Sequence, residues 1–419
     1  MSRRSPGAAF APLPILLCLA TVATALGAAD PVPDGAPIPS DPVFTALRID
    51  GTTMSGRIRR LSPEEELILV PVDGPEQVIP LARLVKLNRE GGAPPSAPEG
   101  AVVLFPDGDR LYGGVVGDEA DETSLKVLSS TLGDLAIPLE SMLGLVLKLP
   151  TEADEADTFL SRVRAAPRQT ELLWLANGDL LAGGFLGLDE RKIKFQPESG
   201  PIELERSGVV ALGFDPALVV YPRPQGTFLE LALADGSRLG VTSPRVEQGQ
   251  VVATTRFGMP IRLPLGELAS VHSRSASISY LSEREATEQR YVSYVGPTRP
   301  YRRDAAVTGH PLRVAGRPFD RGLGTQSRTL LAYRLAPGDR RFQAMVGLDD
   351  RAGPQGSVMF RVFVDGRETF ASPAMSVRDA PRTIDVDVAG AKVVILATEF
   401  GPRGDVRDYA DWIEARIIR

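Results

Sequence analysis

At 419 residues and 43% hydrophobic content, the chain is long enough for several domains, each with its own core. Its formal net charge of −6 is uneven: residues 30–275 carry about −12, residues 276–419 carry +4, and the first 29 add two arginines. One cysteine, Cys18, and two histidines, His272 and His310, exclude a disulfide framework and an ordinary Cys/His zinc site.

The first 29 residues read as a secretory signal. Arg3 and Arg4 give a positive start, Leu13–Gly27 is apolar, and Gly27-Ala28-Ala29 offers small residues for cleavage before Asp30. This implies an exported chain, periplasmic, at the cell surface or extracellular. It would touch a membrane only through that segment, if uncleaved. Residues 30–43 are a Pro-rich tether.

Four repeats follow, at 44–90, 101–150, 170–216 and 227–275. Each opens with a strand ending in a tight turn: Asp50-Gly51, Asp107-Gly108, Asn177-Gly178 or Asp235-Gly236. Glycines after the turns (Gly56, Gly113-Gly114, Gly183-Gly184) suit strongly bent strands. A later strand carries Ile79-Pro80-Leu81, Ile137-Pro138-Leu139, Ile202-Glu203-Leu204 or Leu263-Pro264-Leu265, and a short apolar strand closes each unit. The period of roughly sixty residues suits small SH3-like or Sm-like five-stranded barrels, with repeats fused in pairs as the alternative. Sm-like folds often bind RNA, but an acidic array is a poor partner for phosphate, so no nucleic acid is expected. Between the second and third repeats, Thr151–Asp157 opens a short helix running toward Arg164.

Residues 276–419 read as a further all-β module. Ser357–Val364 alternates apolar and polar and ends in the hairpin turn Asp365-Gly366. Thr383–Val388 puts Ile384, Val386 and Val388 on one face, Asp385 and Asp387 on the other. Lys392–Thr398 is an apolar core strand.

Four motifs stand here in order: R-G-L-G-T-Q-S-R from Arg321, R-R-F-Q-A-M-V-G-L-D-D from Arg340, G-S-V-M-F-R-V-F-V-D-G-R from Gly356, and Y-A-D-W-I-E-A-R-I from Tyr409. Together they resemble the NPCBM family of carbohydrate-binding modules. The resemblance implies a jelly-roll-like β-sandwich without catalytic function, and a glycan or polysaccharide ligand. It points to Gln326, Tyr409, Asp411 and Trp412 as carbohydrate-binding residues. Gln326 and Tyr409 stand where the family carries histidines, which bears on specificity. Trp412 reads also as core packing of the last strand. Sugar modules stack aromatic rings on sugar faces; this region offers Tyr291, Tyr294, Tyr301, Phe319, Tyr333, Phe400, Tyr409 and Trp412.

Asp349 and Asp350 form a candidate Ca²⁺ turn, since the ion takes carboxylate and carbonyl oxygens in loops, and some members of the family carry a calcium. A capped turn is the plain alternative. The leading function is glycan binding. The alternatives are an envelope structural protein with protein partners, and a glycoside hydrolase using Asp349, Asp350, Asp385 or Asp387.

Overall fold

The computed structural model describes residues 41–62, 66–91, 100–117, 123–292, 294 and 299–419. The signal-like segment, most of the Pro-rich tether and most of the 91–100 linker lie outside these residues.

The chain is nearly all β. The first unit contains Val43–Arg48, Thr53–Ser62, Glu66–Val70, Gln77–Pro80 and Leu84–Arg89. Its first four strands form a meander, and the fifth returns to pair with the first. A single turn of 3₁₀ helix, Leu81–Arg83, joins the fourth strand to the fifth. The other three units repeat this plan, beginning at Ala101–Leu104, Glu171–Leu175 and Phe228–Leu233.

The predicted turns sit where expected. Asp107 (φ 58°) and Gly108 (φ 86°) both take left-handed backbone between the first two strands of the second unit. The bent second strands need their glycines: a Cβ on Gly183 would lie 2.4 Å from the Gln196 carbonyl oxygen of the third strand. In the third unit the strand preceding the 3₁₀ turn is Ile202–Glu205, so the residues equivalent to Ile79-Pro80-Leu81 are Leu204-Glu205-Arg206, two places beyond the expected triplet.

The separate closed barrels are not formed: among the described residues no ladder joins a fourth strand to a fifth. The fifth strands instead pair across units. Val271 lies opposite Leu87, joining the fourth unit to the first, and Leu145 lies opposite Leu212, joining the second to the third. Each pairing covers a sheet edge that would otherwise expose unpaired backbone groups. One contiguous core runs through all four units, from Phe44 and Leu67 to Phe105, Phe195 and Leu263. The expected helix is present as Ala153–Ala165; Leu160 and Val163 pack on Val102, Leu104, Val146 and Trp174.

The C-terminal module is a two-sheet sandwich. One sheet runs Arg302–Arg303, Gly322–Gln326, Tyr409–Ile418, Arg341–Leu348, Arg382–Asp387, with Ile278–Tyr280 also on the long last strand. The other runs Glu288–Tyr291, Thr329–Arg334, Val393–Phe400, Val358–Val364, Arg367–Ala371. Tyr333, Phe342, Phe360 and Trp412 fill the space between them.

The sandwich is joined to the repeats without a spacer, since Leu268–Arg274 leads almost directly into Ile278–Tyr280. Val85 packs with Ile278, Tyr280 and Ile418. Around this apolar contact lie ion pairs: Lys86 with Glu414 at 2.9 Å, Arg238 with Asp320 at 2.9 Å, and Arg321 with Glu230 at 2.6 Å.

Candidate functional site

The Gly322–Gln326 and Tyr409–Ile418 strands run antiparallel, so Gln326 faces Tyr409, Gly324 faces Asp411 and Leu323 faces Trp412. Strand alternation then separates the four predicted sugar contacts.

Trp412 is wholly buried. Its ring meets Phe360 edge-on at 5.3 Å, and its Nε1–H donates to Thr398 Oγ1 at 3.0 Å. It has no free face for a sugar, so the core reading holds. Asp411 is also fully buried. A Cβ on its partner Gly324 would lie 2.3 Å from the Ala305 carbonyl oxygen, which shows how closely the covering segment lies over this strand pair. Asp411 therefore cannot reach a ligand in solvent.

Asp411 instead belongs with Asp349, also fully buried. Burial, then the neighbouring Asp349 carboxylate, pushes the Asp411 carboxyl far above its ordinary value. Asp349 Oδ1 accepts the Arg351 N–H at 2.9 Å. Asp349 Oδ2 and both Asp411 oxygens find no donor in the protein. Two such carboxyls can share a proton or hold a hard cation, and their oxygens are the donor type Ca²⁺ takes. Asp350 accepts the Gly316 N–H at 2.9 Å. Among the described residues no third carboxylate or histidine completes a metal cluster.

Gln326 and Tyr409 remain at the half-buried end of the strand pair. The Arg299 guanidinium lies 5.7 Å from the centre of the Tyr409 ring. Gln326 Oε1 has no hydrogen-bond partner. Mutual backbone hydrogen bonds between Val292 and Arg328 hold the preceding loop against this end. Tyr294 on that loop is 68% exposed, meets Phe400 edge-on at 5.5 Å, and donates its N–H to Asp405 at 3.1 Å. Arg328 pairs with Glu399 at 2.7 Å. Beneath them Asp408, buried, accepts from Ser327 at 2.5 Å and from the Ser357 N–H at 2.8 Å. Burial raises its carboxyl to about 6.

The result is an exposed tyrosine platform with planar polar groups around it, the chemistry that recognises sugar faces and hydroxyls. Tyr294 is one of eight candidate aromatics named in the C-terminal module, and nothing in the local pattern sets it apart. Its place against Phe400 comes from tertiary contacts. Tyr333, another of the eight, is fully buried. Asp385 is taken by Arg341 at 2.7 Å, and Asp387 accepts the Ala389 N–H at 2.9 Å.

The region that carries this end is a two-sheet β-sandwich. Residues 277–418 match the NPCBM/NEW2 domain. A Renibacterium salmoninarum protein named "Putative endo-alpha-N-acetylgalactosaminidase" is 30% identical over 110 residues, which is 26% of this chain and 7% of the relative. Among solved structures, a CBM51 from a Clostridium perfringens GH95 protein in complex with methyl-galactose is 24% identical, covering 33% of this chain and 99% of that one, at TM-score 0.31. The second CBM51 of Clostridium perfringens ZmpB, in complex with GlcNAc, is 22% identical over 43% of this chain and 40% of that one, at TM-score 0.32.

Proposed function

We propose that the chain is an exported, non-catalytic glycan-binding protein. The sugar lies at the sandwich end formed by Tyr294, Phe400, Tyr409 and Gln326. The observation that carries this reading is the exposed Tyr294 ring set on half-buried Phe400, within a region matching the NPCBM/NEW2 domain. Tyr294 stacks on a sugar face. Gln326 and Asp405 read hydroxyl orientation, and Arg299 and Arg328 widen the polar rim. Export rests on the signal-like first 29 residues. Ca²⁺ at Asp349 and Asp411 would be structural, setting the position of the Arg351 loop rather than touching sugar.

The experiment is a glycan and polysaccharide array probed with the chain from Asp30 onward. Saturable binding, competed by free sugar and lost in both Tyr294→Ala and Tyr409→Ala, supports the reading. Binding that ignores both substitutions removes this end as the site.

A second reading, a protein-contact platform in the envelope, is favoured by exposed apolar side chains on the third unit. Leu180 is 59% exposed and Leu186 45%, both on the Leu180–Leu188 strand. It predicts stable complexes on cross-linking of envelope extracts, weakened by Leu180→Ser.

A further inference from the structure

One buried carboxylate ties together the segments that carry the platform. Asp408, wholly buried, immediately precedes Tyr409. Its Oδ2 accepts the Ser327 Oγ–H at 2.5 Å, and its Oδ1 accepts the Ser357 N–H at 2.8 Å. Ser327 follows Gln326, and the next residue, Arg328, exchanges backbone hydrogen bonds with Val292, just ahead of Tyr294. Ser357 in turn accepts the Gly401 N–H on its carbonyl oxygen at 2.8 Å, and Gly401 follows Phe400. That approach is tight: a Cβ on Gly401 would lie 2.3 Å from the same oxygen. The segments bearing Gln326, Tyr294, Phe400 and Tyr409 thus all lead back to Asp408.

Asp408 is too deep to touch a sugar, and among the described residues no cation pairs with it. Arg328 pairs with Glu399, Arg403 and Arg407 donate to the Pro354 and Arg351 carbonyl oxygens, and Arg299 lies toward the Tyr409 ring. Its own turn adds a second acid, Asp405, which accepts the Tyr294 N–H. A carboxylate held in this way makes charge-assisted hydrogen bonds when ionised and loses that strength on protonation. Burial outweighs the two donors, Asp405 adds to it, and the carboxyl is raised to about 6.

We propose that Asp408 is the positioning residue of the platform: its ionised form holds the Gln326, Tyr294 and Phe400 segments in their sugar-binding arrangement, and proton uptake loosens them and weakens glycan binding. The ligand rests on the glycan-binding reading above; the tie through Asp408 rests on the hydrogen bonds. Fold and site then respond oppositely to acid. The raised carboxyl favours the fold at low pH, a contribution lost as pH rises through about 6, whereas affinity falls as pH falls through the same value.

The test reads two things on the chain from Asp30 onward, at about pH 5 and about pH 8. One is amide hydrogen exchange without sugar; the other is half-saturation on the glycan array. In the wild type the Val292, Arg328 and Gly401 amides exchange about fivefold faster or more at the lower pH, after correction for intrinsic rates. Leu396, in the central strand Val393–Phe400, does not change. Asp408→Asn is the neutral isostere, able to keep the Ser357 contact and to donate to Ser327. It exchanges at the faster level at both pH values, binds glycan about fivefold more weakly than the wild type at the higher pH, and keeps its melting temperature. Ser327→Ala cuts one tie, and speeds Val292 and Arg328 without Gly401. Exchange at these amides that ignores pH, Asp408→Asn and Ser327→Ala overturns the positioning role, whatever the array shows. Glycan binding equal at both pH values, or unchanged in Asp408→Asn, overturns the coupling and leaves the glycan reading standing. Exchange as expected with a blank array removes the glycan reading, while the tie through Asp408 stands.

Discussion

Arg321 of the sandwich sets its two terminal nitrogens on the two carboxylate oxygens of Glu230, in the fourth repeat unit, at 2.6 Å each. Both residues are buried, and Glu230 also takes Arg238 at 2.9 Å and Arg274 at 3.4 Å. Tyr280 lies under the guanidinium groups of Arg321 and Arg274, at 4.9 and 5.0 Å. One carboxylate thus gathers three arginines at the seam between repeats and sandwich. Burial works against its charge, but the three arginines outweigh burial and hold Glu230 ionised.

Removing that carboxylate leaves the three buried arginines with chiefly the more exposed Asp320 and Glu283 as acidic partners. Glu230→Gln is expected to destabilise the chain by about 3–5 kcal/mol, the usual cost of breaking a buried pair from one side. Denaturant unfolding at neutral pH measures it. The wild type should unfold in one transition, because the seam couples both parts. A loss under about 1 kcal/mol would show that water reaches the network and screens it.

His272 gives the seam a pH dependence. It lies opposite Lys86 across the sheet joining the first and fourth units. Burial pushes its imidazole down to about 4, against the pull of Glu414. A depressed histidine binds fewer protons folded than unfolded, so its stability contribution is lost as pH falls from about 6.5 through 4. Asp408 acts in the opposite sense over much of that window: its raised carboxyl favours the fold at low pH, and that contribution is lost as pH rises through about 6. The comparison must therefore be made against His272→Gln. Melting temperatures of the two should converge near neutral pH, and the wild type should fall further on acidification. Parallel curves would mean that His272 binds its proton equally in the folded and unfolded chain, so that burial does not depress it.

The strand pair predicted to bind sugar buries Trp412, whereas the exposed ring, Tyr294, stands outside that pair against Phe400, and substitution separates the two. Trp412→Ala removes a fully buried ring packed on Phe360 and should cost about 3–5 kcal/mol, with binding lost only as the fold is lost. Tyr294→Ala should leave the melting temperature nearly unchanged and lower glycan affinity about tenfold or more. A folded Trp412→Ala with selectively lost binding would reverse this assignment.

The β nature of the chain was legible because strand alternation and D-G or N-G turns are local. Asp365-Gly366, the Thr383–Val388 alternation and the repeat turns all lie where the residues imply. Pairing between units was not legible. The contact of Leu87 with Val271 spans most of the repeat region, and a five-stranded unit looks alike whether its last edge is free or paired. The third unit lacks the proline that marks the other three, which explains the two-residue slip at Leu204-Glu205-Arg206. For the site, the motif located the right strands, but alternation assigns Trp412 inward and only tertiary contacts bury Asp411.

In the first three units the bend of the second strand sets a glycine against third-strand backbone. Gly183→Ala would place a methyl against the Gln196 backbone, 2.4 Å from the carbonyl oxygen. The strands must separate, at about 1–3 kcal/mol. Gly184→Ala is the control, since a Cβ there meets nothing within 4 Å. Equal melting temperatures for the two variants would mean that the third unit relaxes around the added methyl.

Asp349 and Asp411 carry buried carboxyl oxygens that no hydrogen bond of ordinary geometry satisfies. Without a cation the pair must hold a proton. Asp411 is raised far above an unfolded aspartate, so its contribution is present at low pH and lost as pH rises through its folded value. In chelator at pH 7, Asp411→Asn should therefore match or exceed the wild type in melting temperature, since the amide keeps the site neutral. Calcium should raise the wild type and leave Asp411→Asn unmoved, because binding to the folded state stabilises only where both carboxylates remain. If calcium shifts neither and the two variants differ only through pH, the pair is a proton-sharing brace for the Arg351 loop, and the cation assignment falls.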